Sequence, residues 1–271
     1  MAKADEAMTP GETAVADVSK DGAFVRKDAI FRNRITPDGP YTPESGRYHL
    51  YVSYACPWAC RTLSLLHFKG LTQHVTVSSV HPTWQRTRPD DPDDKHAGWC
   101  FVGEDGTFIS GPSGAGSFPG GPSHACSPDP LFGSTFIRDV YDRAMGGAAV
   151  GTRFTVPILW DKKTNTIVSN ESSEIIRDLN SQFNAIAANK ELDLYPEALR
   201  PAIDEVNEWV YHGINNGVYK CGFATSQGAY DAAVTELFSC LDRCEDILGK
   251  QRYIAGDVLT EADVRLFPTL V

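Results

Sequence analysis

The chain has 271 residues and a net charge of −10 at pH 7, and 42% of its residues are hydrophobic. This length gives room for two domains with a sizeable core, while the negative charge disfavours nucleic acid and anionic membranes as partners. No apolar run is long enough for a membrane span or a secretory signal. Seven cysteines, an odd number without closely spaced pairs, indicate a reducing compartment. We therefore expect a cytoplasmic protein without a metal site.

The first 46 residues are predicted to form an extended N-terminal arm. Residues 1–30 of this arm are predicted to be loose, because they are polar, mixed in charge and without apolar periodicity. A strand at 48–52, a helix from 57 to about 69 and a strand at 75–80 follow. Residues from about 85 to 133 are rich in glycine, proline, serine and aspartate, which indicates a long insertion.

The second half of the chain changes from mixed to purely helical patterns. A helix at about 134–145 precedes strands at 156–160 and 166–169, and another helix begins at 171. The order βαβ-α-ββα is that of a thioredoxin-like α/β domain, which we place at residues 47–185. Helical segments follow at about 196–216, 227–249 and from 260, so residues 196–271 are predicted to form an all-α domain. Thr260 and Asp263 form a capping box at the start of the last helix.

Cys56 is the candidate nucleophile of the chain. It follows the first strand, and Pro57 occupies the first position of the next helix, where a missing N–H is harmless. Unpaired N–H groups and the helix dipole favour thiolate there and so predict a lowered pKa, and a fall of roughly two units from the usual value of about 8.5 would make Cys56 mostly thiolate at neutral pH. The alternative is a buried cysteine at the end of an element. Cys60 lies one helical turn away, which is unfavourable for a direct disulfide, and is expected to be a buried or half-buried bystander.

Two further segments of the same domain favour a ligand with an α-amino acid end. Pro157 opens the third strand and is predicted to be cis and to lie opposite Cys56, so that the backbone of Val156 can pair with a cysteinyl backbone. Glu171 and Ser172 begin a helix, where a carboxylate can hold an α-amino group and the hydroxyl can hold an α-carboxylate. The γ-glutamyl end of glutathione carries both groups. Ordinary helix capping is the alternative for these two residues.

Two weaker candidates lie outside these segments. Trp84 follows the second strand on a polar loop, and is expected to be either a wall of the ligand site or a packing residue. Arg138 lies on the helix before the third strand and is the basic candidate for the glycyl carboxylate of glutathione. The alternative for Arg138 is a solvated helix face.

Several segments in this order resemble the glutathionyl-hydroquinone reductases, also called the Xi class of glutathione transferases. The resemblance runs from about residue 47 to the end, apart from the insertion, and its matching segments are 54–59, 153–161, 168–177, 207–220 and 260–267. It implies that the helical domain is of the glutathione-transferase type. It also implies a homodimer that forms through this domain, with glutathione and a glutathionylated aromatic substrate as ligands.

The resemblance also implies roles for individual residues. Cys56 would be the catalytic nucleophile, and Tyr211 and Tyr219 would lie beside the hydroquinone. Glutathione, as the co-substrate, would be bound by Trp84, Arg138, Val156, Pro157, Glu171 and Ser172. The predicted function is a reductase that removes glutathione from glutathionyl-hydroquinones through a mixed disulfide on Cys56.

The sequence departs from the family in two respects. Cys60 stands where the family has histidine, and the chain ends at Val271, inside a helix that continues in family members. We therefore expect the helical domain to be incomplete. A chain that truly ends at Val271 is expected to be poorly stable or aggregated, because Leu266, Phe267 and Leu270 would seek cover.

Two other functions remain open at this point. One is an Omega-type thiol transferase or dehydroascorbate reductase that uses the same cysteine and glutathione site. The other is a non-catalytic, transferase-like interaction module, for which the long insertion and the shortened helical domain argue.

Overall fold

The computed structural model describes residues 13, 17–103, 108–111, 116–121, 123, 125–147 and 152–271. Within these residues, the first part of the chain forms eight strands and three helices. In chain order these are β1 (Tyr48–Val52), α1 (Pro57–Phe68), β2 (Thr76–Ser79), β3 (Gln85–Arg86), β4 (Ala97–Gly98), β5 (Phe108–Ser110), β6 (Ser117–Pro119), α2 (Ile137–Ala144), β7 (Ile158–Asp161), β8 (Thr166–Ser169) and α3 (Ser172–Ser181).

Four strands form the central sheet in the order β2-β1-β7-β8. β1 pairs parallel with β2 and antiparallel with β7, and β8 pairs antiparallel with β7. All five residues of β1 and all four of β7 are buried, because helices cover both faces of the sheet and a strand between two covered faces needs apolar residues throughout. This topology confirms the predicted thioredoxin-like domain.

The insertion contributes two small ribbons beside this sheet. β3 pairs with β4, and β5 pairs with β6, in both cases antiparallel. The predicted insertion of residues 85–133 therefore has short regular elements in its described parts. Residues 104–107, 112–115, 122 and 124 lie outside the described residues.

Helices make up the second part of the chain, as predicted. They are a 3-10 turn (Glu197–Leu199), α4 (Arg200–Val210), a π-helical turn (Tyr211–Asn215), α5 (Gly217–Gly222), α6 (Gln227–Leu248) and α7 (Glu261–Leu270). Their core contains Ile203, Val210, Leu237 and Leu266. The predicted single helix at 196–216 is thus divided, and its last turn widens to π geometry at a point where such turns often serve a site. The proposed domain boundary, residues 186–195, lies between α3 and these helices.

The start of α7 follows the predicted capping box only in part. Asp263 accepts hydrogen bonds from the backbone N–H of Thr260 at 2.9 Å and from the Thr260 hydroxyl at 3.2 Å. The hydroxyl therefore donates to the carboxylate. Of the apolar residues expected to lack cover near the end of α7, Leu266 is buried in the helical core, whereas Phe267 is 63% exposed.

The N-terminal arm is docked in its described part, and the prediction of a loose segment was wrong from residue 17 onward. The arm runs along the edge of the sheet, where the N–H of Asn33 donates to the carbonyl of Val168 at 3.0 Å. It also reaches the helical domain, because the carbonyl of Gly22 accepts from the N–H of Thr225 at 2.9 Å. Gly22 has a φ of +85°, and a Cβ there would lie 2.8 Å from the Thr225 hydroxyl. Glycine is therefore required at this close approach.

Buried polar contacts join the two domains beside α1. Arg61 is 1% exposed, and its Nη2 donates to Oδ1 of Asn215 at 2.6 Å and to the carbonyl of Arg265 at 3.0 Å. Arg177 of α3 reaches Glu261 of α7 at 3.0 Å. These contacts fix the π-helical turn relative to the helix that Cys56 precedes. Among the described residues, none of the helices has the length and apolarity that a membrane span requires.

Candidate functional site

A cavity of about 180 Å³ lies where the arm, the sheet domain and the helical domain meet. Eight of the nine residues that the sequence selected line it. They are Cys56, Trp84, Val156, Pro157, Glu171, Ser172, Tyr211 and Tyr219. The structure thus brings together residues that are up to 163 positions apart in the chain (219 − 56). The exception is Arg138.

Cys56 occupies the junction between β1 and α1, as predicted. It is the residue before the first helical position, which Pro57 fills. Its side chain is 7% exposed, and its Sγ donates a weak hydrogen bond to the carbonyl of Val156 at 3.5 Å. The Val156–Pro157 peptide bond is cis, as predicted. The sulfur therefore lies against the same backbone segment that is expected to bind a cysteinyl peptide.

The predicted low pKa of Cys56 is not found in this structure. Burial raises the pKa of the thiol to about 11. The backbone N–H groups of Ala59 and Trp58 act to lower it, as does Arg26, but burial has the larger effect. The backbone N–H donors at the start of the helix were correctly predicted, whereas the burial of the Cys56 sulfur was not. A thiolate loses more solvation in a closed cavity than two N–H groups restore.

This burial predicts a specific pH dependence of alkylation. In the protein without glutathione, we expect iodoacetamide to label Cys56 slowly at neutral pH, with a rate that rises toward pH 11. Only the thiolate reacts, and at pH 8 it would be roughly one molecule in a thousand. Peptide-resolved mass spectrometry over a pH series measures this. The unfolded protein is the control and should titrate near about 8.5. A midpoint below about 8 in the folded protein would show that the N–H groups outweigh burial.

Ser172 and Glu171 lie at the start of α3 in different states. One oxygen of Glu171 caps the helix, accepting from the N–H of Ser173 at 2.9 Å and from its hydroxyl at 2.7 Å. The hydroxyl of Ser172, by contrast, is buried and has no partner among the described residues. A buried polar group without a partner is unusual in a native protein. Helix capping therefore occupies one carboxylate oxygen of Glu171, whereas the hydroxyl of Ser172 can form a hydrogen bond with a ligand.

Trp84 forms one wall of the cavity. Its ring packs edge-on against Trp99, with ring centres 5.4 Å apart. Both tryptophans line the cavity, and the Nε1 of Trp84 is buried without a partner among the described residues. Trp99 lies in the predicted insertion, where the sequence offered no pattern to select it.

Arg138 is not placed in the cavity. Its guanidinium forms an ion pair with Asp94 at 2.5 Å and donates to the hydroxyl of Thr87 at 3.1 Å. These partners hold it against the insertion. Arg153 lies at the cavity instead, where it forms an ion pair with Asp17 of the arm. The sequence correctly placed Arg138 on the helix before the third strand of the sheet domain. It could not predict the ion pair with an aspartate of the insertion.

The wall formed by α1 and the helical domain is aromatic. Trp58 lies 5.9 Å from Tyr211 and 6.1 Å from Tyr219, between ring centres. Tyr211 starts the π-helical turn and Tyr219 lies on α5. Burial raises the pKa of Tyr219 to about 12, so its hydroxyl stays protonated at neutral pH. This wall suits a flat ring with polar substituents.

Comparison with known proteins shows which family this chain is similar to. Residues 55–182 match the family model described as glutathione S-transferase, N-terminal domain, and residues 227–271 match glutathione S-transferase, C-terminal domain. The glutathionyl-hydroquinone reductase YqjG of Escherichia coli is 46% identical over 261 residues, covering 93% of this chain and 70% of the relative. The glutathione S-transferase omega-like 2 of Schizosaccharomyces pombe is 44% identical, with 93% and 73% covered.

Solved structures agree with the sequence comparison. The crystal structure of the glutathione S-transferase Xi from Phanerochaete chrysosporium is 48% identical, with a TM-score of 0.78, and covers 91% of this chain and 74% of that chain. The glutathione-bound structure of YqjG is 44% identical, with a TM-score of 0.73 and 89% and 71% covered. This chain belongs to the Xi class of glutathione transferases. The predicted family is thereby confirmed.

Within this Xi-class fold, the remaining cysteine of interest lies away from the cavity. The Sγ of Cys60 contacts the carbonyls of Tyr54 at 3.4 Å and Ser53 at 3.9 Å. It lines a second cavity, of about 540 Å³, which extends between α1 and α7. Cys60 is half-buried, as predicted. In the described part of the chain, no cluster of three or more histidine, cysteine or acidic residues could hold a metal.

Proposed function

We propose that this protein is a glutathionyl-hydroquinone reductase in which Cys56 is the nucleophile. The observation that carries the proposal is the position of the Cys56 sulfur. The sulfur contacts the carbonyl of Val156 at 3.5 Å, and the cavity that Cys56 lines is also lined by the aromatic residues Trp58, Tyr211 and Tyr219. A glutathione thioether needs one surface for a peptide and another for a ring. The 46% identity to YqjG supports the same function.

Glutathione is proposed to bind along the sheet side of the cavity. The backbone of Val156 would pair with the cysteinyl residue, in the manner of an added strand. Ser172 would donate its free hydroxyl to the γ-glutamyl carboxylate at the start of α3, where backbone N–H groups favour an anion. Glu171 would hold the α-amino group with its second oxygen, and Trp84 would close the side. The cations at the cavity are Arg26, Lys27 and Arg153.

The first chemical step is a displacement at sulfur. The Cys56 thiol loses its proton to water, and the thiolate attacks the glutathione sulfur of the thioether. A sulfur–sulfur bond forms, the bond from sulfur to the aromatic carbon breaks, and that carbon gains a proton. The products are the hydroquinone and a Cys56–glutathione mixed disulfide.

The second step restores the enzyme. The thiolate of a second glutathione attacks the glutathione sulfur of the mixed disulfide, so that oxidised glutathione leaves and the Cys56 thiolate returns. The net reaction converts one thioether and one glutathione into one hydroquinone and one oxidised glutathione. A single cysteine is sufficient for both steps.

The test is a comparison of two substrates under the same conditions. We expect turnover of a glutathionyl-hydroquinone to exceed that of a small glutathione mixed disulfide, because the aromatic wall recognises only the former. The Omega-type alternative has some support in the name of the S. pombe relative. It would replace this proposal if the mixed disulfide were turned over faster by a large factor. If neither substrate were turned over, the non-catalytic interaction module would be the remaining interpretation.

Dimerisation through the helical domain and a cytoplasmic location stay predictions of the family resemblance. On α6, Phe238 is 58% exposed and Tyr230 is 42% exposed. These two exposed aromatic side chains on the helical domain support the proposed homodimer.

A further inference from the structure

Arg26 of the N-terminal arm is a cation at the cavity and has no carboxylate partner among the described residues. Its Nε donates to Oδ1 of Asn216 at 2.9 Å, and its Nη2 is buried with no partner among the described residues. Its guanidinium carbon lies 4.4 Å from the ring centre of Tyr219, 5.0 Å from that of Trp58 and 4.9 Å from that of Phe24. Three aromatic rings and one amide hold the charge in place.

Placing the charge of Arg26 in this site costs desolvation free energy, which is unfavourable unless the charge serves a function. Burial lowers the pKa of Arg26, and the nearby hydroxyls of Tyr219 and Tyr211 raise it more than Cys56 and Glu171 do. The cation is on the aromatic side of the cavity, since its guanidinium carbon lies 4.4 Å from the ring centre of Tyr219. The two fully buried arginines of the described chain differ: Arg47 pairs with Asp161, whereas Arg61 donates to the side chain of Asn215 and the backbone of Arg265. A half-buried cation whose Nη2 is buried without a partner among the described residues is suited to an anion that forms only during the reaction.

The proposed reaction forms such an anion on the substrate ring. A thiolate can remove the sulfur only if the electron pair of the carbon–sulfur bond is accepted by the ring. Protonation of that ring carbon gives the keto tautomer, in which the adjacent phenol has become a carbonyl. When Cys56 takes the sulfur, the electron pair moves into the ring and ends on this oxygen as a phenolate. The carbon keeps its proton, and the phenolate is later protonated by water.

We propose that Arg26 is a further catalytic residue of this reaction, and that its Nη2–H stabilises the phenolate oxygen of the departing hydroquinone. The inference rests on the proposed function. It makes the N-terminal arm part of the active site, because Arg26 lines the cavity and Phe24, two residues before it, packs on Tyr219 and Phe223 with ring centres 5.9 and 6.0 Å apart.

The test uses Arg26→Gln, which removes the charge, with two substrates. For a glutathionyl-hydroquinone, we expect kcat/KM to fall by roughly 100-fold, the size expected for one lost donor to a developing oxyanion. For the mixed disulfide of glutathione and 2-mercaptoethanol, which has no ring oxygen, we expect a loss below about threefold. Arg26→Lys should recover part of the thioether activity. Among hydroquinones of differing phenol acidity, the rate of Arg26→Gln should depend more steeply on that acidity.

Arg32→Gln is the matched control. Arg32 lies on the same arm and pairs with Glu174 at 2.5 Å, outside the cavity, so both activities should stay within about twofold. Equal losses on the two substrates in Arg26→Gln would overturn the inference, since the residue would then serve Cys56 or the fold. Unchanged thioether turnover would also overturn it. If the unaltered protein reduced the mixed disulfide but not the thioether, the proposed function itself would fail.

Discussion

Replacing Cys56 with serine is expected to lower turnover of a glutathionyl-hydroquinone by about a thousandfold or more, the effect of removing a covalent nucleophile. Cys60→Ser is expected to leave turnover within about twofold, because a residue that touches no reacting atom contributes little. The reason lies in the two positions. The sulfur of Cys56 faces Val156 within the proposed glutathione cavity, whereas that of Cys60 faces the carbonyl of Tyr54.

Steady-state kinetics of the two variants, with mass spectrometry of the intact proteins, test this prediction. Incubation with the thioether substrate should leave one glutathione on the unaltered protein and on Cys60→Ser, and none on Cys56→Ser. The Cys60 variant also serves as the control for loss of a thiol near α1. If both variants lost activity to the same extent, the monothiol mechanism would have to be replaced by one that uses a cysteine pair.

Asp161→Ala is expected to lower the free energy of unfolding by about 3–5 kcal/mol, because it leaves the buried charge of Arg47 without its counter-ion. Asp161 is fully buried at the end of β7 and Arg47 is 7% exposed. The guanidinium makes two hydrogen bonds to the carboxylate, at 2.8 and 2.6 Å. Thr164 and the N–H of Lys163 also donate to it, at 2.7 and 3.0 Å. Four donors therefore lose their acceptor in the variant.

Denaturant unfolding measures this effect, with Glu44→Gln as the control. Glu44 also contacts Arg47, at 3.4 Å, but its side chain is 40% exposed, and a much smaller change is expected there because water replaces the lost partner. A similar loss in both variants would mean that Asp161 has no special role. A small loss for Asp161→Ala would mean that Arg47 finds water in its place.

The Arg47–Asp161 pair also makes the stability of the protein depend on pH in the acid range. Burial acts to raise the pKa of Asp161, but hydrogen bonds from Arg47 and Thr164 outweigh burial, and the pKa is lowered. The stabilisation is therefore complete above the unfolded value of about 3.9 and is lost as the pH falls through the lower folded value. Asp161→Ala should show a shallower loss of stability over this range than the unaltered protein.

The sequence by itself determined the order of elements and most of the candidate site. β1 and β7 are mostly apolar, apart from His49 and Asp161, because both of their faces are covered, and such strands can be predicted without a structure. The Cys56-Pro57 step fixed the position of the thiol, since proline at the first helical position is a local rule. The start of α3 at Ser172 was equally local, because a helix N-terminus shows its preference for Ser and Glu within one turn.

Only the tertiary structure decided what covers these residues. Arg26 and Asn216 are 190 positions apart, and a single hydrogen bond over such a distance leaves no periodicity in the sequence. The ion pair of Arg138 with Asp94 of the insertion could not be predicted for the same reason. The pKa of Cys56 depends on two opposing effects, of which the helix start is local and the burial is not. The sequence therefore predicts the nucleophile, whereas its ionisation and its neighbouring cation follow from how the arm and the two domains pack.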